Sequence, residues 1–298
     1  NDPASDLIES LLDMSPGRIV VCAAGNAGNQ GKFHVRNNQI GSDTTFFWNT
    51  PNTGMTVAGP NKIVFDVWSD TSQAHYYYGF GADKITPNYS FRGHTNFRYA
   101  TSNLNQVPVT DTLFNNVGQR LAIIDSYREI VGGNFHMLCV FTTIDSLAYR
   151  YRFMTTGSGQ YDAWGGSWIQ LSNFASNIPT VNQYSAMQDY IMPDSLQTIV
   201  SSWNCSEKVI SVANMRNRKG HITKNNTYYQ PSSTTPVGKL SENSSKGPAR
   251  NGTTKPDITA AGDVTLAAGP LWYLSNTANN TTIDLGGFHV RNGGTSMA

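Results

Sequence analysis

The chain has 298 residues, enough for one large domain or two ordinary ones. Its 21 basic and 20 acidic side chains leave a net charge of +1, which gives no electrostatic basis for nucleic acid or an anionic membrane as partner. No apolar run approaches the roughly 20 residues of a membrane-spanning helix, and 11% aromatic residues against 14% charged ones argue for a packed, β- and turn-rich protein rather than a disordered one.

The first element in the chain is a helix. Asp2-Pro3 is a capping side chain followed by proline at the first helical position, and Leu7, Ile8, Leu11 and Leu12 recur at helical spacing. Ser15-Pro16-Gly17 stops it. Arg18 to Ala24 is a continuous apolar run, the pattern of a strand buried on both faces of a parallel sheet. These elements read as an α/β segment.

Between about Phe33 and Leu171 the period changes to two. Ile63, Phe65 and Val67 share a face, as do Phe135, Met137, Cys139 and Phe141. Tyr149, Tyr151 and Phe153 alternate with Arg150 and Arg152, which predicts one apolar and one solvated face. Gly132-Gly133 marks a hairpin. About eight or more short strands predict an antiparallel β-sandwich, jelly-roll-like. Tyr76-Tyr77-Tyr78, Trp164 and Trp168 invite a sugar-binding role, but alternation favours core packing for some of the tyrosines.

After Ser172 the α/β character returns. Lys208 to Val212 is a β-branched run, and His221 to Arg250 reads as a long polar surface loop. The fold class is therefore mixed: an antiparallel β-sandwich inserted into a partial α/β domain, with segments 1–32, 33–172 and 173–298. Cys22, Cys139 and Cys205 are odd in number and form no metal-binding spacing; Cys22 and Cys139 sit in apolar runs and read as buried thiols. The pentapeptide Phe-His-Val-Arg-Asn at 33–37 and 288–292 reads as coincidence.

Three stretches carry or support chemistry. Gly294-Thr295-Ser296-Met297-Ala298 suits a nucleophilic serine at a helix start, and is equally a capped turn. Val20 to Gly28 delivers Asn26 into a glycine-flanked turn, where an amide can donate to an oxyanion or simply hold the turn. Ser244-Ser245-Lys246-Gly247-Pro248, Lys255-Pro256-Asp257-Ile258 and Ala261-Gly262 read as scaffold.

In this order, the three stretches resemble the subtilisin-like serine proteases over roughly residues 1–32 and 205–298. The resemblance implies Ser296 as nucleophile, Asn26 as side-chain oxyanion donor with the Ser296 N–H as the second, and Ala23, Ala24 and Gly25 as one wall of the S1 pocket. It implies a protein or peptide substrate, no obligatory cofactor, calcium as a possible but unplaced metal, and a secreted, periplasmic or cell-surface setting in a bacterium. The sandwich between asparagine and serine is similar to that of the clostridial Csp-type subgroup and related Bacteroidetes proteins. The family's Asp-Ser/Thr-Gly and His-Gly-Thr motifs do not occur here; none of His34, His75, His94, His136, His221 or His289 precedes Gly-Thr. Ala27 replaces a glutamate frequent in relatives, which is expected to weaken any preference for a basic P1 residue. The expectation is an internal piece of a serine endopeptidase, inactive alone and prone to self-association through open sheet edges. The alternative is a pseudoprotease whose sandwich recognises a protein or glycan.

Overall fold

The computed structural model describes residues 3–51, 60–104, 107–165 and 172–298. Trp168 and Asp2 lie outside the described residues. The chain divides into two compact units, Asn1–Asn29 with Leu196–Ala298, and Gln30–Ser195. The second unit therefore runs on past 172: the stretch to Ser195, placed by sequence with the last segment, packs here.

The first unit opens with helix α1 (Pro3–Asp13) and strand β1 (Val20–Ala23). The second holds β2 (His34–Ile40), β3 (Thr45–Pro51), β4 (Ile63–Asp70), β5 (Tyr76–Lys84), β6 (Ser90–His94), β7 (Arg98–Tyr99), β8 (Val109–Phe114), β9 (Arg120–Val131), β10 (Asn134–Ile144), β11 (Tyr149–Gly157), β12 (Gly159–Gly165) and β13 (Ser172–Phe174). The chain then returns to the first unit with β14 (Val209–Arg216), β15 (His221–Ile222), β16 (Tyr228–Tyr229), β17 (Ile258–Asp263), β18 (Thr265–Ala268), the single helical turn α2 (Leu271–Leu274) and β19 (His289–Asn292).

The Gln30–Ser195 unit is a sandwich of two antiparallel sheets. One has the order β2-β12-β4-β10-β9-β8; the other runs β13-β3-β11-β5-β6, with β7 also on β5. Alternation places Phe65, Val67, Phe135, Met137 and Cys139 from the first sheet against Phe47, Tyr76, Tyr78, Phe80 and Phe153 from the second, all buried in one core. Phe153 packs on Phe47, Phe65 and Phe80 with ring centroids 5.4–6.0 Å apart. Burying each such side chain stabilises the fold by about 1.5–3 kcal/mol, and aromatic pairs add to that. Tyr76 and Tyr78 point inward while Tyr77 is 47% exposed, so the tyrosine run is core packing at alternate positions. The β9–β10 hairpin turns through Gly132 and Gly133, both at positive φ.

One face differs from expectation. Arg152 is not solvated: it is buried and paired with Asp83. The outer face of its sheet, with Phe46, Trp48 and Met154, is covered by Ala175, Ile178, Tyr184, Met187 and Tyr190. Period-two alternation records which residues are polar, not what lies over them.

The outer face of the other sheet carries two histidines, each held between two carboxylates. His34 bonds Asp194 through Nδ1 (2.9 Å) and Asp162 through Nε2 (3.0 Å), and its ring lies against Trp164. His136 bonds Glu129 (3.0 Å) and Asp66 (2.8 Å) and stacks on Trp68. Burial by itself lowers both imidazoles, but the hydrogen bonds and charge of the carboxylates outweigh it, so both pKa values are raised. A raised folded-state pKa contributes stability that is complete below the unfolded value of about 6.5 and is lost as pH climbs through the folded value. We therefore expect hydrogen-exchange protection of the β2, β4, β10 and β12 amides, corrected for intrinsic rates, to fall as the pH rises above about 6.5. Replacing both histidines with glutamine should flatten that slope; a wild-type profile that is flat or rising contradicts the account.

In the first unit β1, β14 and β17 form a parallel sheet in the order β1-β14-β17. β1 was expected to be buried on both faces. It is an edge strand: Val21 is 53% exposed, Ile19 beside it 72%, and Cys22 is half-buried rather than buried. Helix α1 lies beside it, with Ile8, Leu11 and Leu12 lining an apolar cleft with Ile19 and Val20. The 221–250 stretch also departs from the loop reading. β15 and β16 form a hairpin there, and Ser241, Ser244, Ser245 and Ala249 are buried. Residues 34–37 and 289–292 of the repeated pentapeptide are both in strands, but His34 is buried and His289 half-exposed.

Candidate active site

Asn26 and Ser296 stand 270 positions apart in sequence and at one place in the first unit. β1 runs out at Ala23, and Ala24 stays in register, donating to the Val212 carbonyl (2.9 Å) and accepting from Val200 (2.9 Å). Gly25 then turns the chain at φ +109°, which glycine adopts without strain; a Cβ there would also sit 2.5 Å from Val200 Cγ2. The Ala23 carbonyl accepts from Asn204 Nδ2 at 2.8 Å.

The turn itself is bolted to the segment read as quiet scaffold. Ser245 N–H donates to the Gly25 carbonyl (2.9 Å) and its Oγ accepts from Ala27 N–H (3.0 Å). Gly28 N–H donates to the Asn243 carbonyl at 3.1 Å, and a Cβ on Gly28 would fall 1.9 Å from the Ser244 carbonyl oxygen. Three of the four residues from Gly25 to Gly28 thus have a backbone group fixed by 243–245. The sequence gives no signal for this, because serines in a polar stretch look alike whether buried or exposed.

From the other side, Gly294 N–H donates to the Gly262 carbonyl (2.8 Å), anchoring the serine loop to the end of β17. Gly294 has φ +112°, and a Cβ there would lie 3.0 Å from both Oδ1 and Nδ2 of Asn26. Thr295 is the joint. Its N–H donates to Asn26 Oδ1 at 2.9 Å, its hydroxyl donates to the same oxygen at 3.2 Å, and that hydroxyl accepts the Gly25 N–H at 3.1 Å. A backbone N–H can only donate, so Oδ1 must face Thr295 and Nδ2 must face away. The orientation of the amide is therefore dictated by the residue before the serine.

Ser296 is exposed, in a single 3-10 turn over Thr295–Met297. Among the described residues neither Asn26 Nδ2, the Ser296 N–H nor Ser296 Oγ has a hydrogen-bond partner, and no histidine or carboxylate bonds to the serine. Of the predicted S1 residues, Ala24 is wholly buried, while Ala23 and Gly25 are half-exposed beside Asn26. Among the described residues no group of three or more His, Cys, Asp and Glu side chains is placed to hold a metal ion, and no helix is long and apolar enough to cross a membrane.

No family model matches the sequence, and no curated protein does. Among solved structures, the chain is similar to the CspB protease of Clostridium perfringens, with a TM-score of 0.58 and 16% sequence identity. The match covers 100% of this chain and 49% of that one, so the chain spans about half the length of the protease it resembles. At this identity the likeness is one of fold: a structural neighbour of this β-rich chain is a protease.

Proposed function

We propose that the chain is part of a subtilisin-like serine endopeptidase, with Ser296 as nucleophile. The observation that carries the reading is the Asn26–Thr295 joint. It holds Asn26 Oδ1 on the residue before the serine and leaves Asn26 Nδ2 and the Ser296 N–H without a protein acceptor among the described residues. Fixed donors of this kind stabilise the oxyanion that forms when a serine oxygen attacks a peptide carbonyl. Ala23 and Gly25, partly exposed just before Asn26 in the chain, would form the wall against which the P1 side chain lies.

In this reading Ser296 Oγ bonds to the carbonyl carbon while a base takes its proton. The tetrahedral oxyanion sits between Asn26 Nδ2 and the Ser296 N–H. Its collapse expels the amine, which leaves with that proton, and water then hydrolyses the ester. A serine without a base is a poor nucleophile. The histidine and aspartate of the triad are therefore assigned to sequence beyond these 298 residues, and the chain by itself should be inert.

A fluorophosphonate probe tests this, read by intact mass. The 298-residue chain should take up none. A longer natural form that includes the preceding sequence should gain one adduct, absent from its Ser296→Ala variant. A folded longer form that gains no adduct removes the enzyme reading. It would favour the pseudoprotease reading instead.

A further inference from the structure

β15 and β16 pair antiparallel, and the chain at 282–285 lies beside β15 through Leu285 N–H to the Ile222 carbonyl (3.0 Å) and Lys224 N–H to the Ile283 carbonyl (2.9 Å). β19 lies next, through Arg291 N–H to the Thr282 carbonyl (2.7 Å), and β18 completes the small sheet. Three side chains from three of these strands meet on it. Arg291 Cζ stands 3.6 Å from the Tyr229 ring centroid, and the His221 ring lies 5.6 Å from the same centroid, tilted by 53°.

This cluster has an excess of buried donors. His221 is only 6% exposed, yet neither of its ring nitrogens has a hydrogen-bond partner. Arg291 Nη1 is also buried and unpartnered. Buried polar groups are almost always satisfied, so two such groups against one ring call for an acceptor that the protein does not itself supply. The nearby carboxylate is committed elsewhere: Asp284 accepts from the Phe288 N–H (3.1 Å), the His289 N–H (2.8 Å) and His289 Nδ1 (3.4 Å). The local field is positive. Burial, then Arg291 and Arg218, lower the His221 pKa against the opposing pull of Asp284. The imidazole is thus neutral near pH 7, with one N–H to give.

We propose that His221, Tyr229 and Arg291 form a carboxylate-binding site, in which Arg291 Nη1 and one His221 ring N–H donate to the two oxygens of the ligand. A carboxylate matches the donor count and the charge, and guanidinium binds it with directional hydrogen bonds. The ligand is either an acidic side chain or the free end of a peptide. β19 continues directly into Gly293 and the Ser296 turn, so the site lies on the strand that delivers the serine. It stands whether or not Ser296 is catalytic.

The test is a titration of the ¹⁵N-labelled 298-residue chain, observing the histidine ring nitrogens. Acetate should shift the His221 resonances saturably, with half-saturation below about 50 mM, and leave His75 and His94 in place. N-acetylglycinamide, which has no carboxylate, should do nothing. N-acetyl-Gly-Gly and N-acetylglutamic acid amide separate a chain terminus from an acidic side chain by which one binds more tightly. Arg291→Met should abolish the shift, and Arg291→Lys should weaken binding by about tenfold. An imidazole that only exchanges with buried water gives no saturable shift in the wild-type chain, and that result overturns the site whatever the variants do. So does an unchanged titration in folded Arg291→Met.

Discussion

Replacing Arg152 with methionine should destabilise the Gln30–Ser195 unit by about 3–5 kcal/mol, because it leaves a carboxylate stranded in the protein. The Asp83 side chain is wholly inaccessible, and Arg152 is nearly so. Asp83 accepts four hydrogen bonds. They come from Arg152 Nε (2.5 Å) and Nη2 (2.8 Å), Trp48 Nε1 (2.6 Å) and the Tyr184 hydroxyl (2.6 Å). The guanidinium also lies 3.7 Å from the Phe46 ring centroid, and its Nη2 donates to the Tyr184 hydroxyl. Methionine keeps much of the packing volume, but Trp48 and Tyr184 alone cannot balance a full negative charge at that depth. Urea denaturation should show a lower midpoint at unchanged slope. The double variant Arg152→Met/Asp83→Asn should recover a large part of the loss, since neutral replacement of a buried pair is far less damaging than removal of one partner. A loss under about 1 kcal/mol for Arg152→Met is what a solvent-screened surface pair would give, and would refute the burial argument.

That ion pair also shows where the sequence stops being informative. Phe65 and Val67, or Met137 and Cys139, announce their strands because one face is buried and alternation follows from the pleat. Arg152 obeys the same alternation and still ends in a second, smaller core, because the segment from Ala175 to Tyr190 folds over it. Its partner Asp83 comes from another strand, 69 positions away in sequence, and no local pattern links them. The 221–250 stretch fails for a related reason. Its order comes from polar bonds and not from apolar periodicity. Arg216, for instance, is buried among the carbonyls of Arg218, Lys219, Ser233 and Thr235. β1 errs the other way: an unbroken apolar run predicts two buried faces, but Val21 lies on an edge strand and is exposed. At the candidate site the residue types were legible in Gly-Asn and Gly-Thr-Ser. The direction of the amide was not, since Thr295 fixes it from 269 positions away.

That direction yields the prediction with the largest expected effect. In the longer, active form proposed above, Asn26→Ala should lower kcat by about 10²–10³, the magnitude known for this kind of donor from subtilisin itself, with little change in KM. A donor that meets only the developing oxyanion acts on the transition state and not on substrate binding. Asn26→Asp separates donation from architecture. A carboxylate keeps an oxygen for the Thr295 N–H and hydroxyl, so the turn at Gly25 to Gly28 should hold its shape. It replaces the outward N–H₂ with a second oxygen and a negative charge, where a negative charge must develop. Its kcat should therefore fall at least as far as that of the alanine variant, although its fold is better preserved. The steady-state constants of the two variants, taken beside their thermal midpoints, decide the matter. If Asn26→Asp keeps most of its activity while Asn26→Ala loses it, Asn26 serves as a brace for the serine loop and the oxyanion is held elsewhere. If both lose kcat and only the alanine variant loses stability, the brace and the donor are the two ends of one amide.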